Sequence, residues 1–412
     1  MKPSKWKFAA TLYLVAVLLI HIVVFWNARA LVWKGYPDFT IYYCAGTIVR
    51  QGLGHHLYEE ATQFRVKGEF APALRTGSLP YNHPPFEALY FVPLTYLPYR
   101  GAFLLWDLVN LGMLGVLPFL LRPYLVRLQN FSWAFWMLAS LAFFPIFFTL
   151  LQGQDSILLL LLYTLGFVCL KRNQDARAGC CLALGLFKFH LVLPFVLLLF
   201  AQGRKKVLYG FLLAAALLAV VSVAIVGWKG ITSYPQHVLQ LEDTMSRSAI
   251  VPSDMPNLRG LLYLILDSAP DYKAVVLVIS GVIFLFAAWL SRGNGNRGSG
   301  DLKFSLAAVV TVLVSYHSLG YDLSILILPV SLLANELLGE DRARGWPTGL
   351  MIFAAAVFFF SPLQLFLLMR ANRLALVGWA VLLGMFGIAG QISLRIRNLY
   401  PFHAGRPATT RK

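Results

Sequence analysis

Acidic residues are scarce in this chain. Its 412 residues include 18 Asp and Glu against 35 Lys and Arg, and all charged types together reach only 13%. Soluble domains carry about a quarter charged residues, so an ordinary soluble enzyme is excluded. Cysteine is scarce as well. Cys44, Cys169, Cys180 and Cys181 are too few and too apolar in setting for a disulfide framework. Three of them lie in or beside apolar runs and read as small core residues, and none shows metal-ligand spacing. Internal repeats and low-complexity tracts are also missing.

What the chain does have is long apolar runs, at residues 8–27, 84–121, 131–151, 155–170, 176–201, 204–228, 272–291, 302–316, 321–337, 346–368 and 374–394. A helix crossing a bilayer needs about 20 apolar residues to cover about 30 Å of hydrocarbon. A β-barrel would show short alternating segments instead. The pattern predicts an all-α polytopic membrane protein, a single integral domain over 1–412. The 84–121 run is too long for one helix, and Pro93 and Pro98 break it, giving either two helices or a re-entrant piece plus one. About 12 transmembrane helices are therefore expected. The N-terminus has the basic start, apolar run and Ala28-x-Ala30 of a signal peptide, but its apolar run suits a full crossing, so an uncleaved first helix is expected.

The net charge of +17 does not imply nucleic acid. The basic residues fall in short clusters between apolar runs: Lys2/Lys5/Lys7, Lys171/Arg172, Arg204/Lys205/Lys206, Arg292/Arg297 and Arg342/Arg344. Cytoplasmic loops orient membrane helices in this way, and anionic lipids are their natural partners. The tail at 401–412 is expected to be cytoplasmic too. Two polar stretches, 28–83 and 229–271, then lie together on the outer face, as does the break near Tyr316–Tyr321. Long loops in compact proteins are usually functional. Each is expected to carry short amphipathic helices; in the first, Tyr42 to Val49 reads as a helix on the membrane surface and Arg65 to Glu69 as a second. By simple counting, Arg122/Arg127 and Lys171/Arg172 cannot all be inside.

Five short stretches concentrate the polar chemistry. The first acidic residue, Asp38 in GYPDFT, stands where an N-cap would precede Phe39-Thr40-Ile41. A carboxylate there is also placed to take a proton from a hydroxyl. In Tyr81-Asn82-His83-Pro84-Pro85-Phe86, the prolines suit a helix start and His83 is a candidate phosphate donor beside it. Its plain structural reading is a helix-entry turn. Leu151-Gln152-Gly153-Gln154-Asp155-Ser156 reads as a polar hairpin with Asp155 as a cap. Lys188 and His190 interrupt an otherwise apolar run. A charge at membrane depth costs about 2.5–3.5 kcal/mol, so Lys188 needs a partner, a wet cavity or a route for snorkelling. If the run is one continuous crossing, Lys188 lies near its middle. Ser315 to Leu323 places His317, Tyr316, Tyr321 and Asp322 in one tight turn, where Asp322 reads as a cap and His317 as a ligand contact. Arg259, in the second loop, is a further candidate.

With these residues in view, the chain resembles the membrane mannosyltransferases of glycosyltransferase family 87 in the GT-C superfamily, which include polyprenyl-phosphate-mannose-dependent enzymes. The similar features are Pro37-Asp38-Phe39, Gly52 with Leu57-Tyr58, Tyr81-x-His83-Pro84-Pro85-Phe86, Pro93-Leu94 with Leu97-Pro98, Gly153-Gln154, the Lys188 segment and His317 with Tyr321-Asp322. They span roughly residues 30–330 in the family's order. One departure is local: the family's lysine is followed by proline, whereas Phe189-His190 follows here.

The resemblance implies a GT-C fold and a sugar, mannose, carried on polyprenyl phosphate. Transfer would be to a glycolipid or glycan acceptor at the outer face of the plasma membrane. It also implies that Asp38 is the catalytic base. Inverting transfer needs one carboxylate, unlike the paired acids of glycoside hydrolysis. The leaving phosphate gains charge that fixed donors stabilise. His83, Lys188, His317, Tyr321, Asn82, Gln154 and Arg259 are the candidates for donor-phosphate or substrate contact. No Asp-x-Asp follows Asp38, so neither a metal nor another cofactor is expected. The alternatives are a transporter or flippase of lipid-linked sugars and an oligosaccharide ligase. Transporters often show internal repeats around a midplane site; here the polar residues gather in loops on one face.

Overall fold

A computed structural model of the chain describes residues 5–72, 80–245, 251–266, 271–292, 300–339 and 345–399. The basic tail at 401–412 and Arg297, Arg342 and Arg344 lie outside these residues. The described chain is helical, with no strand among those residues. Six helices are long and apolar enough to cross a membrane: Lys5–Trp33, Tyr99–Leu121, Lys205–Gln240, Tyr272–Ser291, Gly320–Leu337 and Leu374–Ile396. Three bent pairs raise the number to nine if each is one span. The protein is thus an integral membrane protein of helices.

The difference from the expected count of about twelve has a physical origin. Prolines chop the start of the 84–121 run into short pieces, Pro85–Glu87, Ala88–Phe91 and Val92–Tyr96, before a single long helix, Tyr99–Leu121. Other apolar runs form helices too short to cross alone, such as Ser156–Lys171 and Gly300–Val314, the latter buried from Leu302 to Leu313.

Proline also explains two of the bends. Trp133–Ala142 and Phe144–Gln152 meet at 74°, and Trp346–Phe359 meets Ser361–Ala371 at 62°. In each case the second piece has a proline near its start, Pro145 and Pro362. Proline has no N–H, so the carbonyl four residues earlier loses its helical partner. Those carbonyls belong to Leu141 and Phe358. Buried His21 of the first helix bonds Leu141 O through Nδ1 at 2.9 Å, and Gln364 Nε2 donates to Phe358 O at 3.2 Å. A carbonyl only accepts, so His21 carries its proton on Nδ1. In that neutral tautomer Nε2 accepts from Ser361 Oγ at 2.8 Å. One imidazole therefore ties the first helix to both bends.

The third bent pair joins Asp175–Ala183 to Leu186–Ala201 at 67°. The apolar run over 176–201 is therefore not one continuous crossing, and Lys188 sits in a 3-10 turn at the break rather than in mid-helix. Arg204, just past the far end, pairs with Asp175 at the start at 2.9 Å. Gln202 Nε2 also donates to Lys303 O at 3.3 Å. The pair therefore returns the chain to the end of the bundle it left.

Further contacts gather the basic clusters at that end. Lys171 pairs with Asp301, at the far ends of two helices whose near ends carry Asp155 and the turn at Tyr316. Arg127 N donates to Asn335 Oδ1 at 2.9 Å. Arg122, Arg127, Lys171, Arg172 and Arg204 thus share one end. The apparent conflict in counting disappears because residues 84–121 hold one crossing, not two.

At the other end lie Phe39–Arg50 and Glu60–Phe70, the two short helices expected in the first polar stretch. The first does not present an apolar face to lipid. Phe39 to Ile48 are all buried within the protein, because the aromatic side chains pack on residues 91–106. Phe39 meets Phe103 at 5.5 Å and Tyr99 at 5.7 Å, and Tyr42 stacks on Phe91 at 4.6 Å. The second polar stretch starts as a helix. Lys205–Met245 continues past a kink at Gly227, whose φ of 73° favours glycine. A Cβ there would lie 2.9 Å from His55 Nδ1. The kink carries Tyr234 and His237 over the first stretch, where Tyr234 O–H donates to Asn82 O at 3.0 Å.

Candidate active site

A cavity of about 230 Å³ opens at this end, away from the basic clusters. Its lining includes Asn82, His83, Gln154, Lys188, His317 and Tyr321, six of the residues singled out from sequence, together with His190 and Asp322. Val238 and Leu239 of the kinked helix close one side.

The turn at Gly153 organises the site. Gly153 ends the helix Phe144–Gln152 in the left-handed conformation, φ 59° and ψ 37°. Trp106 Nε1 donates to its carbonyl at 3.0 Å, and Asn110 Nδ2 donates to the carbonyl of Gln154 at 3.4 Å. Thr149 Oγ1 and Ser324 Oγ lie 2.7 Å apart and tie the same helix to the Gly320–Leu326 turn. A Cβ at Gly153 would fall 2.7 Å from Phe39 Cβ and 2.9 Å from Phe103 Cε2. Ala there would be strained and would push against the residue next to Asp38. Gly153→Ala is expected to lower catalytic turnover about 100-fold, the usual consequence of misplacing reacting groups by about 1 Å. Steady-state rates of wild type and variant, at matched folded protein, check this.

Asp38 occupies the N-cap position of Phe39–Arg50, but its side chain caps nothing. This corrects the cap reading: the carboxylate faces the other way, into the polar network. Gln154 Nε2 donates to Asp38 Oδ2 at 2.7 Å, and Asp38 N–H donates to Gln152 Oε1 at 3.3 Å. Tyr321 also hydrogen-bonds the carboxylate. The amide of Gln154 has one sensible orientation. Its oxygen accepts from Tyr42 O–H at 2.6 Å and from Lys188 Nζ at 3.2 Å, so its nitrogen must face Asp38. Burial raises the Asp38 pKa above its ordinary value, partly offset by the Gln154 and Tyr321 hydrogen bonds. Asp38 is half-buried and does not itself line the cavity; Gln154, which does, joins it to the cavity wall.

Lys188 is buried and fully engaged. Its Nζ donates to Asp322 Oδ1 at 2.5 Å, Ser156 Oγ at 2.8 Å and Gln154 Oε1 at 3.2 Å, and Asp155 Oδ1 stands 3.0 Å away as an ion-pair partner. An ammonium has three N–H donors, so none is spare for a ligand in this arrangement. Asp322 also accepts from Leu319 N–H at 2.8 Å through its other oxygen, so the cap reading is right for one oxygen only. Asp155 stands at an N-cap position but makes no cap.

His83 is neutral at physiological pH, because burial pushes its pKa down to about 4. Its ring lies 5.2 Å from that of Tyr42, and its Nδ1 is 3.1 Å from Glu87 Oε2. Burial also pushes Glu87 up to about 7 and Asp155 up to about 8, with Lys188 opposing both shifts. His317 faces His190 at 6.1 Å between ring centroids. Arg259 does not line the cavity. It is buried behind Tyr316, with Nη1 donating to Tyr316 O at 3.2 Å and the guanidinium 4.1 Å from its ring. Its length and planarity suit this bracing of the turn that carries His317.

Sequence reasoning missed Glu87, noted His190 beside Lys188 without giving it a role, read Asp155 as a cap, and noted Asp322 in the His317 turn with a cap as its plain reading. Two signals pointed to them. A lone lysine inside an apolar run requires buried carboxylates, and His83 and Glu87 stand four residues apart, on one face of any helical turn.

The site thus has the Asp38 carboxylate beside a polar cavity that is lined by imidazoles and by Lys188 with its partner Asp322. Among curated proteins and solved structures, comparison finds no match. The model of glycosyltransferase family 87 matches residues 81–315, which include His83, Glu87, Asp155, Lys188 and Arg259 but stop short of His317 and Tyr321 and exclude Asp38. That match covers more than half of a helical membrane chain with a polar cavity at one end, and the chain belongs to glycosyltransferase family 87.

Proposed function

We propose that the protein moves a single hexose, mannose in this reading, from a polyprenyl-phosphate-linked donor to a hydroxyl of a glycolipid or glycan acceptor. Transfer occurs with inversion at the outer face of the plasma membrane. The single observation that carries the reading is the hydrogen bond from Gln154, a cavity-lining residue, to the carboxylate of Asp38. It sets one candidate base at the edge of a cavity enclosed by apolar helices.

Asp38 takes the acceptor's hydroxyl proton. The acceptor oxygen forms a bond to the anomeric carbon as the bond from that carbon to the phosphate oxygen breaks. The bonding pair leaves with the polyprenyl phosphate. Neutral His83 and Asn82, with His317 and Tyr321 across the cavity, supply hydrogen bonds to donor and acceptor oxygens. Gln154 holds the carboxylate orientation, and Lys188 positions the network by joining Asp155 to Asp322. Arg259 holds the turn of Tyr316 and His317. The basic clusters at the opposite end favour the cytoplasmic leaflet and its anionic lipids, which supports reading the cavity as facing outward.

The donor class is tested with membranes containing the full chain and radiolabelled mannose presented in two forms. Label is expected to reach product from polyprenyl-phosphate mannose. Transfer from nucleotide-activated mannose in lipid-depleted membranes, with none from the lipid donor, would overturn the assignment.

A further inference from the structure

Beneath the cavity, three side chains from two separate segments converge. One ring nitrogen of His83 and one carboxylate oxygen each of Glu87 and Asp155 all lie within 4.8 Å of one another. Glu87 and Asp155 are wholly buried. Glu87 Oε1, both oxygens of Asp155 and His83 Nδ1 make no hydrogen bond, although His83 Nδ1 is 3.1 Å from Glu87 Oε2 and Asp155 Oδ1 is 3.0 Å from Lys188 Nζ. Buried polar atoms are usually satisfied, and a group of orphans around one point calls for an explanation.

Charge points the same way. The Lys188 network holds Asp155 and Asp322, and Asp155 touches Glu87. Three buried carboxylates therefore face one ammonium, and if all three were ionised, two negative charges would stand without a cation in the network. Uncompensated buried charge is costly. A donor phosphate would also be repelled by a cavity floor of this sign. Two protons would also neutralise the carboxylates, and a protonated Glu87 would donate to His83 Nδ1 across 3.1 Å; titration with Mn²⁺ separates that case from a bound ion. A divalent ion would meet all three side chains at once.

We propose that His83, Glu87 and Asp155 form a three-ligand site for a first-row divalent cation such as Zn²⁺ or Mn²⁺. One imidazole nitrogen and two carboxylate oxygens suit these ions, and the nitrogen makes Mg²⁺ or Ca²⁺ a poorer fit. Opposite ligands at about 2.1 Å from an ion stand about 4.2 Å apart, so closure takes only small side-chain movements. This departs from the expectation of no metal, which rested on local sequence spacing. Binding of the ion stands on the geometry alone; any benefit to a phosphate ligand rests on the proposed function.

The test uses full-length protein in detergent, stripped with chelator and titrated with Mn²⁺ while electron paramagnetic resonance follows the free ion. About one Mn²⁺ per chain is expected, displaced by Zn²⁺. Glu87→Gln and Asp155→Asn, which keep side-chain size, should each weaken binding at least about tenfold. If either fails to fold, His83→Ala, on the partly exposed ligand, replaces it with the same expected loss. Asp38→Asn should bind Mn²⁺ like wild type even where it transfers no sugar, which separates this proposal from the proposed reaction. Wild type binding Mn²⁺ and Zn²⁺ no better than Glu87→Gln would overturn the site and leave protons as the neutralising charge.

Discussion

Asp38→Asn is expected to lower sugar transfer by about 10²–10⁴-fold, the range associated with losing a positioned general base. Asn matches Asp in size and still accepts from Gln154, so the hydrogen bond that orients position 38 survives while the proton acceptor does not. The variant should therefore melt like wild type in detergent and bind donor with unchanged affinity. Burial also sets a pH signature. The carboxylate must be ionised to act, and its pKa lies above the ordinary Asp value. As pH falls, wild-type rates should drop through an apparent pKa higher than that of an exposed aspartate, which would still be ionised there. Radiolabel transfer across a pH series measures both effects. Equal rates for Asp38→Asn and wild type would remove Asp38 as the base.

Lys188→Met carries the largest expected effect on stability. Lys188 is buried among Asp155, Asp322, Ser156 and Gln154. Removing one partner of a buried ion pair leaves the other uncompensated and typically costs about 3–5 kcal/mol. Methionine fills most of the volume, so the loss reports charge rather than a cavity. The double change Lys188→Met with Asp322→Asn removes one stranded carboxylate and should recover part of the melting temperature. Thermal melting of detergent-purified protein compares the three. If Lys188→Met alone melted like wild type, the network would have to be held by protons instead of an ammonium.

Some of this was readable along the chain. The apolar runs announced membrane helices, because crossing hydrocarbon demands length and apolar character that no other use requires so often. The two short helices of the first polar stretch were legible from the spacing of Tyr42, Ile48 and Val49 and of Arg65 to Glu69. Lys188 announced itself by being charged where charge is costly. The count of crossings was not legible. Apolar sequence looks alike whether it meets lipid or protein, and Gly300–Val314 and Phe39–Arg50 meet protein.

Caps were over-read for the same reason. Asp38, Asp155 and Asp322 all stand at helix starts, where carboxylates commonly accept from free N–H groups. Only Asp322 does so, and with one oxygen. Competition decided the outcome: Gln154 and Lys188 come from distant segments, and charge-assisted bonds to them win over a local cap.

By itself, the sequence determined the helical membrane class, the two-ended distribution of basic and polar residues, and the prolines that bend the helices. Those properties depend on local chemistry: hydropathy, charge, and a missing N–H. Only the tertiary structure decided that Asp38 faces Gln154, that Lys188 is neutralised by Asp155 and Asp322, and that His83, Glu87 and Asp155 converge. Each of these joins residues far apart in the chain, and burial makes their electrostatics strong. Neither the approach of the segments nor the loss of water around them is written in any local window.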